Sequence, residues 1–62
     1  MTIYYLQDLD LGWDNVVCMA TTRIKCIEEY TDGEVIPQND EEVDKFLKEH
    51  RTLHMDYKFV HE

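Results

Sequence analysis

The chain has few basic residues and no long apolar stretch. Six lysines and arginines stand against fourteen aspartates and glutamates in 62 residues, which gives a formal net charge of −8. Binding to phosphates needs a basic stripe, so the composition argues against a nucleic-acid partner and against an anionic membrane surface. Because the chain contains no apolar signal segment and no run of about 20 apolar residues, we expect neither export nor a membrane span.

Cysteine is also scarce, and the two that are present, Cys18 and Cys26, allow a single disulfide at most. They fall in segments that we expect to be a strand and a helix, so we predict two free, buried thiols in a reducing cytoplasm. A chain of about 60 residues gains only about 3 to 5 kcal/mol from its core. We therefore expect one small domain over 1–62, supplemented by homodimerisation.

Three strands are predicted from residue type and alternation. Thr2–Gln7 is rich in β-branched and aromatic residues, and turn residues over 11–15 separate it from a second strand at Val16–Met19. Apolar and polar residues alternate from Leu53 to Phe59, which predicts a third strand that is buried on one side.

Two helices are predicted between the second and third strands. Thr21 or Thr22 can cap the first, because a hydroxyl accepts a hydrogen bond from a free N–H of the first turn. Its apolar stripe consists of Ile24, Ile27 and Tyr30. The second helix should run from about Asp40 to His50, since Asn39 and Glu42 have the spacing of a capping box.

This order, β-β-α-α-β, predicts an α+β fold in which a three-stranded antiparallel sheet carries both helices on one face. The first strand should lie in the middle, because the last strand returns to it after the helices. The other face would be partly bare, and its exposed strands invite pairing with a second chain. We expect there His54, Asp56, Lys58 and Val60 with members of the pairs Tyr4 and Leu6, and Val16 and Cys18. The sequence leaves open whether Tyr4 or Tyr5 points inward.

Three segments carry a resemblance to known proteins. The turn GWDN, the strand-to-helix junction VVCMATTRIKCIEEY and the final strand resemble a loose group of short phage and bacterial ββααβ proteins of uncharacterised function. In that group a valine-rich strand runs directly into a helix through small hydroxyl residues, followed by a basic residue. The resemblance covers nearly the whole chain and implies this fold and a phage-like setting. It implies no catalytic residues, because the group has none known.

The negative charge is concentrated in two sets of carboxylates. The hairpin acids are Asp8, Asp10 and Asp14, around Trp13. The helix acids are Asp32, Glu34, Asp40, Glu41, Glu42 and Asp44. Like charges this close repel one another, so we interpret both sets as binding residues for a positively charged protein. A solvated surface that maintains solubility is the alternative interpretation.

Trp13 lies between Gly12 and Asp14 in the predicted turn, where its ring can pack back over the sheet or stand out in solvent. Of the two, we expect packing over the sheet. If the ring stands out, the surrounding carboxylates give it the composition of a binding hot spot for a basic groove with an apolar centre.

Metal binding and catalysis find little support. Two cysteines and three histidines are present, but the cysteines are too far apart for the close Cys pair of a structural zinc site. His50 and His54 have the spacing of a zinc-binding His pair, but they straddle the predicted boundary between the second helix and the third strand. A calcium loop counted from Asp8 would need a carboxylate at the position of Met19. A Cys–His nucleophile lacks an orienting third group, and the short chain leaves little room for a pocket of about 300 Å³. We therefore expect no metal, no cofactor and no enzymatic activity.

Two hypotheses of function follow. In the first, the protein is a small acidic binding module, a phage-encoded inhibitor that occupies a basic surface of a host or defence protein in the host cytoplasm. The helix acids then make the contact, and they can mimic the phosphates of a nucleic acid. In the alternative, the protein is a structural or assembly component that homodimerises through its open sheet face.

Overall fold

The elements follow the predicted order. A computed structural model of the chain describes residues 1–13 and 15–61. The elements are β1 (Thr2–Asp8), β2 (Val16–Ala20), α1 (Arg23–Tyr30), α2 (Asp40–Glu49) and β3 (Leu53–Phe59). They form a three-stranded antiparallel sheet in the order β2-β1-β3, which confirms the predicted α+β fold and the central first strand. A short 3-10 helix at Leu9–Leu11, which was not predicted, follows β1.

Side-chain caps start both helices. The Thr22 hydroxyl accepts a hydrogen bond from the Lys25 N–H at 3.1 Å, and the Asn39 side chain accepts one from the Glu42 N–H at 3.0 Å. The Glu42 carboxylate reaches back to the N–H of Gln38 at 3.0 Å, one residue before the cap. The capping box is therefore present with its second bond displaced by one residue.

The core lies between one end of the sheet and the two helices. Leu6 on the central strand is fully buried. The core also contains the buried side chains of Cys26, Ile27, Val43, Phe46 and Leu53. Leu53 and Met55 of β3 pack against this core, but Tyr57 and Phe59 are 65% and 66% exposed. The prediction of a strand buried along one whole side is therefore wrong for the second half of β3.

The register assigns each strand residue to a face. Leu6 lies opposite Cys18 on β2 and Met55 on β3, and all three contact the core. Because side chains alternate between faces, Tyr5 belongs to the open face and Tyr4 to the helix side. The expected presence of Tyr4, Leu6 or Cys18 on the open face is wrong.

A bulge in β2 changes which of its residues lie on the open face. Gln7 pairs with Val16 instead of Val17, so one residue of β2 is skipped. Val16 therefore lies on the open face, as the sequence allowed. His54, Asp56 and Lys58 lie there too, opposite Gln7, Tyr5 and Ile3 of the central strand.

Candidate protein-binding surfaces

The connection between β1 and β2 forms a hairpin tip, which we define as residues 9–13. The Asp8 N–H donates to the carbonyl of Asn15 at 2.8 Å, which closes the base of the hairpin. The Asp8 carboxylate accepts from the Asp10 N–H at 3.1 Å. The Leu9 N–H donates to the carbonyl of Thr52 at 2.7 Å, which ties the tip to the turn before β3. The backbone of the tip is thus fixed at its start.

Trp13 stands in solvent with 100% of its side chain exposed, so the expectation that it packs over the sheet is wrong. Leu9 and Leu11, two positions apart, are also exposed, at 55% and 59%. Leaving a large apolar side chain in water forgoes about 2 kcal/mol of burial energy. The tip therefore exposes three apolar side chains that contribute little to the stability of the domain.

Of the hairpin acids, Asp10 lies in this tip and Asp8 directly precedes it. Asp8 is half-buried and shapes the local backbone, whereas Asp10 is exposed. Asp14 lies outside the described residues, so its predicted place in the set stays a prediction. The exposed leucines alternate with these aspartates in the segment DLDLGW. That alternation of apolar and acidic residues is the signal in the sequence for an apolar tip with acidic neighbours.

Several helix acids take part in the fold. Arg23 at the start of α1 contacts Asp40 at 3.5 Å and also forms an ion pair with Asp44. Both carboxylates remain largely exposed, so each pair stabilises the fold by at most about 1 kcal/mol. Glu42 holds the Gln38 N–H, as described above. Neutralising these residues would therefore weaken helix contacts as well as any binding surface.

Three of the helix acids line an open groove between the end of α1, the segment 31–37 and α2. The groove has a volume of about 850 Å³, so the expectation that the chain leaves little room for a pocket is wrong. Its apolar lining comes from Tyr30, Val35, Pro37 and Phe46, and its acidic lining from Asp32, Glu34, Glu42 and Glu49. Lys45 and His50 complete the described lining near α2. The groove thus brings together three of the predicted helix acids, while Asp40, Glu41 and Asp44 are outside that described lining.

The open sheet face is a third surface. Val16 and Met19 are 45% and 49% exposed there, and with Tyr5 and Lys58 they surround a shallow depression of about 180 Å³. Partial burial and the neighbouring Asp56 carboxylate raise the pKa of Tyr5. In the described part of the chain, β2 and β3 are the edges of the sheet.

The two cysteines are free thiols in the described structure. Cys26 is fully buried and donates to the Tyr4 carbonyl at 3.3 Å, and its burial raises its pKa to about 11. Cys18 is only half-buried, which corrects the expectation of two buried thiols. Burial and the nearby Glu29 carboxylate raise its pKa as well. Both sulfurs therefore stay protonated near neutral pH, which makes them weak nucleophiles.

Residues 1–13 and 15–61 contain neither a metal-binding cluster nor a helix suited to a membrane. This part of the chain brings together no group of three or more His, Cys, Asp or Glu side chains that could hold a metal ion. None of its helices has the length and apolar character to cross a membrane.

No protein-family model matches the chain, and no curated protein or solved structure matches it either. The resemblance to short phage and bacterial proteins therefore stays a prediction.

Proposed function

We propose that this protein is a small acidic binding module that occupies a basic surface of another protein and catalyses no reaction. The observation that carries the proposal is the complete exposure of Trp13 at an acidic hairpin tip. Tryptophan is enriched among the few interface residues that supply most of the binding energy, because its large ring fills a pocket and excludes water. Leu9 and Leu11 extend the apolar contact area beside it.

The charge of the chain supports a basic partner. A net charge of −8 on a chain of 62 residues attracts a cationic surface over a distance of several ångströms and accelerates encounter. At the tip, Asp10 places a carboxylate beside the apolar contact area. We therefore expect the Trp13 ring to provide most of the affinity, while the carboxylates increase the association rate and the selectivity.

The proposed partner is a host or defence protein in the cytoplasm of the host cell. In this proposal the chain is an inhibitor of that protein and is encoded by a phage. The resemblance of the hairpin and the strand-to-helix junction to phage proteins supports this setting. Because the partner surface is basic, one class that fits is a protein that itself binds nucleic acid, whose phosphate sites the carboxylates would occupy.

Affinity capture and tryptophan fluorescence together test the proposal. The immobilised chain should retain a basic protein from bacterial lysate at low salt and release it at high salt, since contacts between exposed charges are screened. The purified partner should then shift the emission of Trp13, the sole tryptophan, to shorter wavelength as the ring leaves water. A partner that binds at saturation without changing this emission would show that the tip is not the contact site.

Homodimerisation through the open sheet face is a second candidate function, in which the protein acts as a structural or assembly component. It is favoured by the half-exposed Val16 and Met19 and by the edge strands of the described sheet. Apolar sheet faces and unpaired edges are recurrent sites of association between chains.

Met19→Lys tests this second candidate. If the open face joins two copies, a buried lysine without a partner should shift the chain from dimer to monomer, which sedimentation velocity measures directly. Ile36→Lys is the matched control, because it makes the same charge change at an exposed position away from the sheet. A wild-type chain that sediments as a monomer at high concentration rules out the dimer.

A further inference from the structure

The groove beside α2 exposes apolar surface that the fold does not cover. Tyr30 and Val35 are each 38% exposed, and both line the groove. Two further residues of the lining are more deeply covered: Pro37 is buried and Phe46 is 9% exposed. These side chains come from three separate segments, so the apolar floor exists only in the folded chain.

The polar side chains that line the groove carry mostly negative charge. Among the described lining residues, four carboxylates face the ammonium of Lys45, and these five groups sum to a charge of −3. Glu34 belongs to the connecting segment and Glu49 is the last residue of α2, so the carboxylates come from separate segments. A ligand that combines an apolar group with positive charges would match both the apolar floor and the carboxylates.

The groove is shaped before any ligand arrives. The Thr31 hydroxyl donates to the Ile27 carbonyl at 2.9 Å and accepts from the Val35 N–H at 3.0 Å, which fastens the connecting segment to α1. Asp32, at φ 56°, takes the left-handed conformation after the helix, and the next residue, Gly33, donates its N–H to the Glu28 carbonyl at 2.8 Å. This left-handed turn closes the helix in the manner of a Schellman motif. A ligand would therefore bind without the cost of ordering this segment.

We infer that the groove binds a basic, extended peptide segment of the partner, with one apolar side chain on the floor and flanking arginines or lysines against the carboxylates. The inference rests on the proposed function, and it assigns a second contact site with a stated ligand chemistry. An arginine in this position can pair with a carboxylate through two hydrogen bonds and stack on the Tyr30 ring.

Charge also selects among the possible occupants. A second copy of the chain would bring another −8 to a groove that is already negative, and a nucleic acid or anionic lipid surface would be repelled for the same reason. None of the described groove residues belongs to the hairpin tip, so the groove and Trp13 can be tested separately.

Amide chemical-shift mapping with a synthetic peptide tests the inference. The probe is a short capped peptide in which arginine alternates with leucine, and the control peptide carries glutamate in place of arginine. We expect the arginine peptide to shift the amides of 30–37 and 42–50 in the full chain, with the shifts declining as salt is added. The glutamate peptide should leave these amides unchanged.

Lysine variants at two neighbouring residues distinguish peptide binding in the groove from a general effect of added positive charge. Val35→Lys places a positive charge in the groove and should weaken peptide binding about tenfold. Ile36→Lys adds the same charge at the next residue, which is 51% exposed and not among the described groove residues, and should change binding by less than about twofold. Glu49→Gln is a milder variant, which should weaken binding about twofold to threefold where Glu41→Gln on the same helix has no effect.

Each outcome decides the inference. Shifts confined to the groove, together with a selective loss in Val35→Lys, support it. Absence of shifts, equal binding of the glutamate peptide, or equal weakening by both lysine variants would overturn it. Shifts at the hairpin tip alone would also overturn it, while leaving the proposed function of Trp13 intact.

Discussion

Leu6→Ala is expected to remove a large part of the free energy of unfolding of the domain. Leu6 is fully buried at the centre of the sheet and packs beneath both helices. Shortening a buried leucine to alanine costs about 2 to 5 kcal/mol, through lost burial and the cavity that remains. A domain of this size has a total free energy of unfolding of about 3 to 9 kcal/mol. A single substitution can therefore remove most of the available stability.

Urea denaturation followed by circular dichroism measures this effect. Leu11→Ala is the matched control, because it makes the same chemical change at a side chain that is 59% exposed. It should alter the free energy of unfolding by no more than about 0.5 kcal/mol. If the two variants unfold at the same urea concentration, the described core does not hold the domain together.

Trp13→Ala is expected to separate binding from stability. The exposed ring contributes little packing, so the melting temperature should change by no more than about 2 °C. At a binding hot spot, truncation of tryptophan costs about 2 kcal/mol or more, which corresponds to about 30-fold weaker affinity for the captured partner. The same substitution in a core would instead lower the melting temperature by many degrees.

Thermal melting and titration calorimetry with the captured partner measure the two quantities. Phe59→Ala is the control, since this aromatic residue is 66% exposed at the opposite end of the sheet and should leave affinity unchanged. Unchanged affinity in Trp13→Ala would refute the binding role of the tip. A large fall in its melting temperature would show that the ring packs against the domain.

Local signals in the sequence were sufficient for the order of the elements. Thr22 and Asn39 begin helices because their side chains satisfy backbone N–H groups a few residues away, which is a property of neighbouring residues alone. The alternation from Leu53 to Phe59 likewise predicted β3. The central place of β1 followed from connectivity, because the returning strand pairs with the nearest free edge.

How much of β3 is buried depends on the lengths of the two helices, which the alternation of apolar and polar residues along β3 does not specify. α1 has eight residues and α2 has ten, so the helices are about 12 and 15 Å long. The seven residues of β3 span about 23 Å. Helices this short cover one end of the sheet and leave Tyr57 and Phe59 in solvent.

The candidate binding surfaces depended on contacts between distant segments. The hairpin tip is held by the Leu9–Thr52 hydrogen bond, and nothing within the tip itself specifies that Trp13 points away from the sheet. The groove forms where the end of α1, the segment 31–37 and α2 meet. Val35 and Glu49 therefore line the same groove only in the folded chain.

The sequence by itself determined the charge, the helix caps and the strand alternation, because each is a property of one residue or of residues a few positions apart. The tertiary structure decided which face each strand residue occupies, how far the helices reach over the sheet, and which carboxylates share a groove. Those properties depend on distances between segments that are far apart in the chain, and those distances are set only when Leu6, Ile27 and Val43 pack into a common core.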